Sequence, residues 1–126
     1  MDDQLVSPEE MSRSCLCLNA QRRARRIARH YDAAFRGLGL TSGQFTILAA
    51  LNGPEPIGLG VLAELLGLER TTLTRNLAAL EQAGLVANVP AEHDRRLRML
   101  ELTSAGRARL RMAMPVWREA QETAQA

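Results

Sequence analysis

The sequence lacks lysine, is poor in aromatic residues and contains no long apolar run. All 16 basic residues are arginine, and aromatic residues make up 3% of the 126 positions. The apolar 46% consists mostly of Leu and Ala, which favours a helical core over an all-β sandwich. No stretch approaches the roughly 18 apolar residues of a membrane span, and residues 1–4 are acidic where a secretory signal is basic. We therefore expect one compact cytoplasmic domain over residues 1–126, without a membrane partner.

Side chains that carry catalytic or metal chemistry are equally scarce. The two cysteines, Cys15 and Cys17, exclude a disulfide framework. The two histidines, His30 and His93, lie far along the chain from that pair, which argues against a metal site. Neither histidine has an evident nucleophile or carboxylate partner, and no Gly-rich phosphate loop is present. The sequence therefore predicts neither an enzyme nor a protein with a metal or cofactor.

Positive charge is concentrated in two regions. Residues 13–36 carry seven Arg against a single acid, Asp32, and residues 70–111 carry eight Arg against four acids. The exclusive use of Arg fits bidentate phosphate contacts, but it fits a GC-rich coding bias equally well. Since a basic helix face is usually just solvated, the placement of the arginines has to decide between these interpretations.

The first third of the chain is predicted to form one long helix. Residues 7–10 combine an N-cap serine, a proline at the first helical position and a capping-box glutamate. The helix should then continue to about residue 38. Its apolar residues recur at spacings of three and four and form a narrow seam that requires a partner helix: Cys17, Ala20, Ala24, Ile27, Tyr31, Ala34 and Leu38.

The middle of the chain is predicted to form three helices, of which the last two are joined by a tight turn. A capping box at residues 41–44 opens a short core helix that ends at residues 52–54. A second helix ends at Gly67, and a third runs from about residue 69 to residue 84. On that third helix one side is apolar, with Leu73, Leu77 and Leu80. The opposite side is short, polar and cationic, with Thr71, Arg75, Ala78 and Gln82, flanked by Thr72 and Thr74.

A β-hairpin and a final helix are predicted to follow. Residues 85–89 and 97–102 read as strands, with Arg95 and Arg96 at or near the tip between them. A helical region starts at residues 103–106, and Pro115 should kink or divide it. A helix–turn–helix followed by a basic hairpin suits DNA, because one helix enters the major groove and the hairpin contacts the neighbouring backbone or minor groove. The alternative is a solvated amphipathic helix without a partner.

Taken together, these stretches resemble the MarR-type winged helix-turn-helix regulators of bacteria. The resemblance spans roughly residues 12–118 and is carried by LTSGQF (40–45), LAELLGL (62–68), RTTLTR (70–75), LEQAGLV (80–86), DRR (94–96) and LTSAG (102–106). It implies a mainly α fold with a small β-hairpin wing (α+β). Residues 40–103 would form the winged helix-turn-helix, and residues 8–38 and 104–126 would form dimerisation helices.

The resemblance also implies a function and its residues. A homodimer would read the two halves of a near-palindromic double-stranded DNA site, most often as a repressor. Five residues would face the major groove, namely Arg70, Thr71, Thr72, Thr74 and Arg75. Arg96 would be the wing arginine directed at the minor groove, held by a salt bridge to Asp94, and Arg95 and Arg98 would add charge near the backbone. An ordinary turn role is the alternative for Asp94.

Regulation is expected from a small ligand or from thiol oxidation. The family often binds a small aromatic or phenolic effector in the cleft between the dimer helices and the winged unit, where we expect Tyr31. The position of Cys17 is similar to that of the sensing cysteine in the organic-peroxide regulators, and Cys15 is the second candidate thiol. An inert packing role for Cys17 remains the alternative. On a continuous helix the two thiols point about 200° apart, which disfavours a bond between them.

Two further readings remain open. The same fold serves some proteins only as a dimerisation or protein-interaction module. Nonspecific coating of DNA would produce phosphate contacts without base discrimination. The resemblance also implies a second long C-terminal helix, whereas residues 116–126 follow Pro115 here, so we expect a short dimer interface.

Overall fold

The computed structural model describes residues 2–94 and 96–125. Its helices are α1 (Pro8–Ser14), α2 (Leu16–Phe35), α3 (Ser42–Ala50), α4 (Leu59–Leu66), α5 (Arg70–Gln82) and α6 (Ser104–Thr123), with a 3-10 turn at Arg36–Leu38. Its strands are β1 (Ile57–Gly58), β2 (Val86–Pro90) and β3 (Arg98–Leu102). The predicted fold class, mainly helical with a small β-hairpin, is confirmed. Among the described residues, no helix combines the length and apolar character that crossing a bilayer requires.

The helical region at the start of the chain is interrupted at Cys15, so the prediction of one continuous helix is wrong. Cys15 has extended backbone angles, with φ −71° and ψ 111°. Its Sγ accepts a hydrogen bond from Leu18 N over 3.4 Å, and Asn19 Nδ2 donates to Cys15 O over 2.8 Å. Cys15 therefore acts as the N-cap of α2, while its own N donates to Met11 O over 3.0 Å and closes the end of α1. The predicted N-cap at Ser7 is confirmed, because its Oγ accepts from Glu10 N.

Helix α2 runs antiparallel to α6 and extends beyond it. His30 Nε2 lies 3.0 Å from Ala120 O, and Arg109 Nη1 donates to Leu38 O over 2.8 Å. Because His30 already lies opposite the last turn of α6, the part of α2 before it extends past that helix by roughly 20 Å. Leu16, at the far end, is 87% exposed. The exposed seam residues are Cys17, Ala20, Ala24 and Ala34, whereas Ile27, Tyr31 and Leu38 are half-buried.

The core joins α3 to the helices on either side of it. Thr41 and Gln44 form the predicted capping box at the start of α3. Asp32 Oδ1, from α2, accepts a hydrogen bond from Ser42 N over 2.6 Å and fixes the two helices at their junction. The fully buried side chains below this junction include Phe35, Ile47, Leu48, Leu62, Leu73, Leu77 and Leu100, each at 0% exposure.

Helices α4 and α5 form the predicted helix–turn–helix. Gly67 adopts a left-handed conformation with φ 66°, which a residue with a side chain rarely takes. Leu68 N then donates to Ala63 O over 2.9 Å and closes the end of α4. Because α5 begins only three residues after Gly67, the two helices are held in a fixed relation, with Leu73 and Leu77 facing the core.

The wing belongs to a three-stranded antiparallel sheet with the order β1-β3-β2. The predicted hairpin is confirmed as β2 and β3, with Val86 opposite Leu102. Strand β1 was not predicted, because two residues are too short for a periodic signal; it pairs Ile57 with Leu100. Since β1 leads directly into α4, the sheet connects the wing to the start of the helix–turn–helix.

Helix α6 is continuous through Pro115, so of the two expected effects of this proline, a kink or a division, the division is wrong. Proline removes one donor and leaves the carbonyl of Arg111 without its helical partner. Both residues are exposed, so water can bond to that carbonyl. Leu110 and Ala120, buried before and after the proline, hold both halves of α6 against the core.

The start of α6 touches the strand region so closely that it requires glycine. A Cβ added at Gly106 would lie 2.0 Å from Leu85 O. The same contact is fastened by Thr103, whose N donates to Leu85 O over 3.1 Å and whose Oγ1 donates to Gly84 O over 2.6 Å. The backbone of α6 at Gly106 is therefore in direct contact with the backbone of Leu85, the residue before β2.

Candidate nucleic-acid interface

The outer face of α5 presents short polar and cationic side chains to solvent. Leu73, Leu77 and Leu80 point into the core and leave the opposite side free. The exposed residues on and beside that side are Arg70, Thr71, Thr72, Thr74, Arg75, Ala78 and Gln82. The helix thus places the sequence-predicted residues together on one surface, which we call the α5 outer face.

Nothing within the described chain neutralises the charge of this face. Across residues 2–94 and 96–125 the ion pairs are Arg96 with Asp94 and Arg98 with Glu81. Arg70 and Arg75 therefore have no carboxylate partner there. An exposed helix face with uncompensated guanidinium groups and short hydroxyl side chains fits a surface that approaches phosphates and base edges closely.

The wing contains the salt bridge that the family resemblance implies. Arg96 Nε lies 3.2 Å from Asp94 Oδ1, and Arg96 N donates to the same oxygen over 3.0 Å. The Arg96 side chain is 91% exposed, whereas that of Asp94 is 31% exposed. Asp94 thus holds the turn while the guanidinium extends outward. Arg95, also predicted to carry charge near the backbone, lies outside the described residues.

Arg98 has a different environment from the one expected. Its Nη2 lies 2.6 Å from Glu81 Oε1 on α5, and its Nε donates to Asn88 Oδ1 on β2 over 2.7 Å. The side chain therefore bridges the sheet and α5. Sequence reasoning missed Glu81 and Asn88, because these partners lie 17 and 10 residues away and share no motif with Arg98.

The two candidate thiols lie in different surroundings. Cys15 is half-buried at the break between α1 and α2, where its sulfur caps α2, and Cys17 is exposed on the first turn of α2. The alternative of an inert packing role for Cys17 requires a buried side chain, whereas Cys17 is exposed. A separation of about 200° between the two thiols holds only on a continuous helix. Because Cys15 is not helical, this geometric reason against a bond between the thiols does not apply.

Tyr31 connects α2 to α6. Its hydroxyl donates to Gln121 Oε1, and its ring begins a row of stacked rings that continues through Phe35 and Phe45 to Trp117. A groove of about 280 Å³ between α3 and α6 opens at the end of this row. It is lined by Phe45, Thr46, Ala49, Met114 and Trp117.

The described residues contain no group of three or more His, Cys, Asp or Glu side chains placed to hold a metal ion. His30, one of the two histidines, instead lies against Ala120 O and Thr123 Oγ1, at 3.0 and 3.1 Å. It joins α2 to the end of α6.

Comparison with known proteins places this geometry among transcription regulators. The model of the MarR family matches residues 38–97. The chain is 40% identical over 72 residues to the transcriptional activatory protein BadR of Rhodopseudomonas palustris, covering 55% of this chain and 41% of BadR. It is 36% identical over 83 residues to the regulator PecS of Dickeya dadantii, covering 64% of this chain and 50% of PecS. The matches thus span about half the length of these curated relatives.

A solved structure matches over a larger share of the chain. The M. tuberculosis transcriptional regulator MosR, in complex with DNA, superposes with a TM-score of 0.77 at 40% sequence identity. The match covers 86% of this chain and 83% of the MosR chain. It therefore includes the helices on both sides of the winged unit as well as the unit itself.

Proposed function

The chain belongs to the MarR family, and from that membership and the α5 outer face we propose that it is a dimeric, sequence-specific DNA-binding regulator of transcription. The observation that carries the proposal is the exposed, unneutralised surface of α5, supported from below by buried Leu73 and Leu77. Its short hydroxyl side chains and free guanidinium groups match the phosphates and base edges of DNA. MosR, the 40% identical neighbour, is described in complex with DNA, which supports the assignment.

In this proposal α5 enters the major groove. Thr71 and Thr74 are short enough for the helix to approach base edges, and Arg75 reaches a guanine with two parallel hydrogen bonds. Arg96 extends from the wing towards the minor groove, with Asp94 fixing the turn from which it projects. Thr72 flanks the contact, and the sheet fixes the distance between wing and helix.

The second copy is needed to cover α2. The amino half of α2 extends beyond α6 with Leu16, Ala20 and Ala24 exposed, and a shallow groove of about 680 Å³ runs along it. Apolar residues at helical spacing on a projecting helix require a partner helix. A two-fold dimer supplies one and places two winged units side by side, so the matching DNA site is near-palindromic.

We propose repression, acting in the cytoplasm, with release by a small aromatic ligand or by oxidation of a thiol. The apolar groove beside Trp117 lies between a dimerisation helix and the winged unit, and its lining suits an aromatic ring. Cys17 is the accessible thiol and Cys15 the capping one. Since BadR is named an activatory protein, the sign of regulation needs a reporter gene under the bound promoter, in which loss of the protein raises expression.

A protein-interaction module that does not read DNA is the alternative from another class, and no described feature suggests an enzyme in its place. An interaction module has no need for the α5 outer face together with an outward wing arginine. The two proposals differ in one measurable property, which is discrimination between DNA sequences.

Fluorescence anisotropy tests the proposal. The probe is the duplex upstream of the protein's own gene, with random duplex as competitor at two salt concentrations. We expect specific binding that weakens steeply with salt. Arg75→Ala should lose about 1–3 kcal/mol on the specific duplex and little on the random one. Arg29→Ala, an exposed arginine on the side of α2 opposite the seam, is the matched control and should bind as the native protein does. Binding indifferent to sequence would favour the interaction module or nonspecific coating.

A further inference from the structure

Arg70 and Gly60 lie against each other across the helix–turn–helix. Arg70 is the first residue of α5, and Gly60 lies in the first turn of α4. A Cβ built on Gly60 would lie 2.7 Å from Arg70 Nη2 and 3.5 Å from its Cζ. The guanidinium therefore occupies the space that a side chain at residue 60 would fill.

Arg70 lies at the edge of the α5 outer face rather than at its centre. At 3.6 residues per turn, it lies about 110° around the helix from the mean direction of Thr71, Arg75 and Ala78. This edge faces α4, consistent with the contact at Gly60. Arg75 lies within the outer face itself. The two arginines of α5 thus point in different directions and contact different surroundings.

No polar contact among the described residues holds the Arg70 guanidinium in this position. Among residues 2–94 and 96–125, no hydrogen bond or ion pair includes it. The amino end of a helix carries partial positive charge, so a cation beside the first turn of α4 gains nothing from that helix. The group is exposed, lies against Gly60 and has its donors available to an anion that approaches this edge of α5.

We infer that Arg70 contacts a DNA phosphate rather than a base, and that Gly60 is a positioning residue whose missing side chain sets the direction of Arg70. The inference rests on the proposed function and assigns different DNA contacts to the two arginines of α5. In a helix–turn–helix the first helix crosses the DNA backbone while the second lies in the groove. An arginine of the second helix that is turned back onto the first helix lies beside that backbone, and Arg75 remains for the bases.

Two variants test the inference, with thermal melting measured on each. Arg70→Ala removes the cation. Gly60→Ala keeps the cation and displaces it, and the fold should tolerate the change because the displaced atom is the end of a flexible side chain. Alanine also favours the helix at residue 60 over glycine, so Gly60→Ala should melt at or above the native temperature. Gly43→Ala, whose added Cβ would meet neighbours at 3.9 Å, is the matched control.

The readout is the slope of log Kd against log salt on specific and random duplexes. Each lost phosphate contact lowers the slope by about 0.9, so a dimer of Arg70→Ala should lose about 1.8. Affinity should fall by the same factor on both duplexes, and Gly60→Ala should shift slope and affinity in the same direction. Gly43→Ala should change neither the slope nor the affinity.

Several results would overturn the inference. A loss confined to the specific duplex would make Arg70 a base contact. An unchanged salt slope in Arg70→Ala would show that Arg70 does not contact the DNA. Native behaviour of Gly60→Ala would remove the positioning role. The proposed function fails separately: if the native protein does not distinguish the two duplexes while Arg70→Ala still lowers the slope, Arg70 contacts phosphate in a protein that does not read sequence.

Discussion

Replacing Gly106 with alanine should destabilise the protein, although alanine is the better helix former. The added Cβ would lie 2.0 Å from Leu85 O, whereas ordinary contact begins at 3.4 Å, so α6 and the entrance to β2 must separate by 1.4 Å (3.4 − 2.0). Overpacking of this kind costs about 1–3 kcal/mol. The separation also stretches the Thr103 bonds to Leu85 and Gly84, and losing one costs about 1 kcal/mol. The helix gains back about 1 kcal/mol from alanine.

The net expectation is a loss of about 1–3 kcal/mol, which lowers the melting temperature by roughly 4–11 °C in a chain of this size. Circular dichroism at 222 nm, at one fixed chain concentration, measures it. Gly43→Ala is again the control, because its site in the first turn of α3 has space for a Cβ; that variant should melt at or slightly above the native temperature. If the melting temperature of Gly106→Ala rises as that of the control does, the close approach of α6 to Leu85 does not exist in solution.

Three further substitutions probe the capping and the wing. Asp94→Ala should weaken specific DNA binding severalfold in anisotropy while changing the free energy of unfolding by less than about 1 kcal/mol, since Arg96 is almost fully exposed and solvent screens the pair; a large drop in melting temperature would contradict a role confined to Arg96. Arg98→Ala should cost about 1–2 kcal/mol in thermal unfolding, because Glu81 and Asn88 lose their donor; an unchanged melting temperature combined with weaker DNA binding would instead make Arg98 a backbone contact. Thr41→Ala should cost about 1 kcal/mol by removing the cap of α3, and native stability would show that Asp32 alone holds that helix end.

Features that depend on neighbours in the sequence were predictable. The capping box at Thr41, the stop at Gly67 and the buried stripe containing Leu73 follow from local spacing, and the structure contains all of them. The same local signals located the α5 outer face, because a helix with one apolar side must present the opposite side to solvent. The roles of these exposed residues in DNA binding stay predictions until binding is measured.

Features that depend on distant contacts were not predictable. Strand β1 exists because Ile57 meets Leu100, 43 residues later (100 − 57). The glycines at 60 and 106 look like ordinary helix residues until another part of the chain approaches them. Arg98 reads as free charge until Glu81 is placed beside it. The break at Cys15 is an exception: the contacts that cap α2 there are local, but a cysteine N-cap inside an otherwise helical spacing of apolar residues gives no recognisable signal in the sequence.

The sheet order has a mechanical consequence. β3 is the central strand, paired with β1 on one side and β2 on the other, and Arg98 ties it to α5. The wing and α5 are therefore joined both through the sheet and through this ion pair, so that a displacement of one is passed to the other. In the proposed dimer, the helices outside the winged unit set the distance and angle between the two copies of that unit. A signal arriving at those helices would then act by changing this distance and angle, so that the two units no longer match the two half-sites of the proposed DNA site.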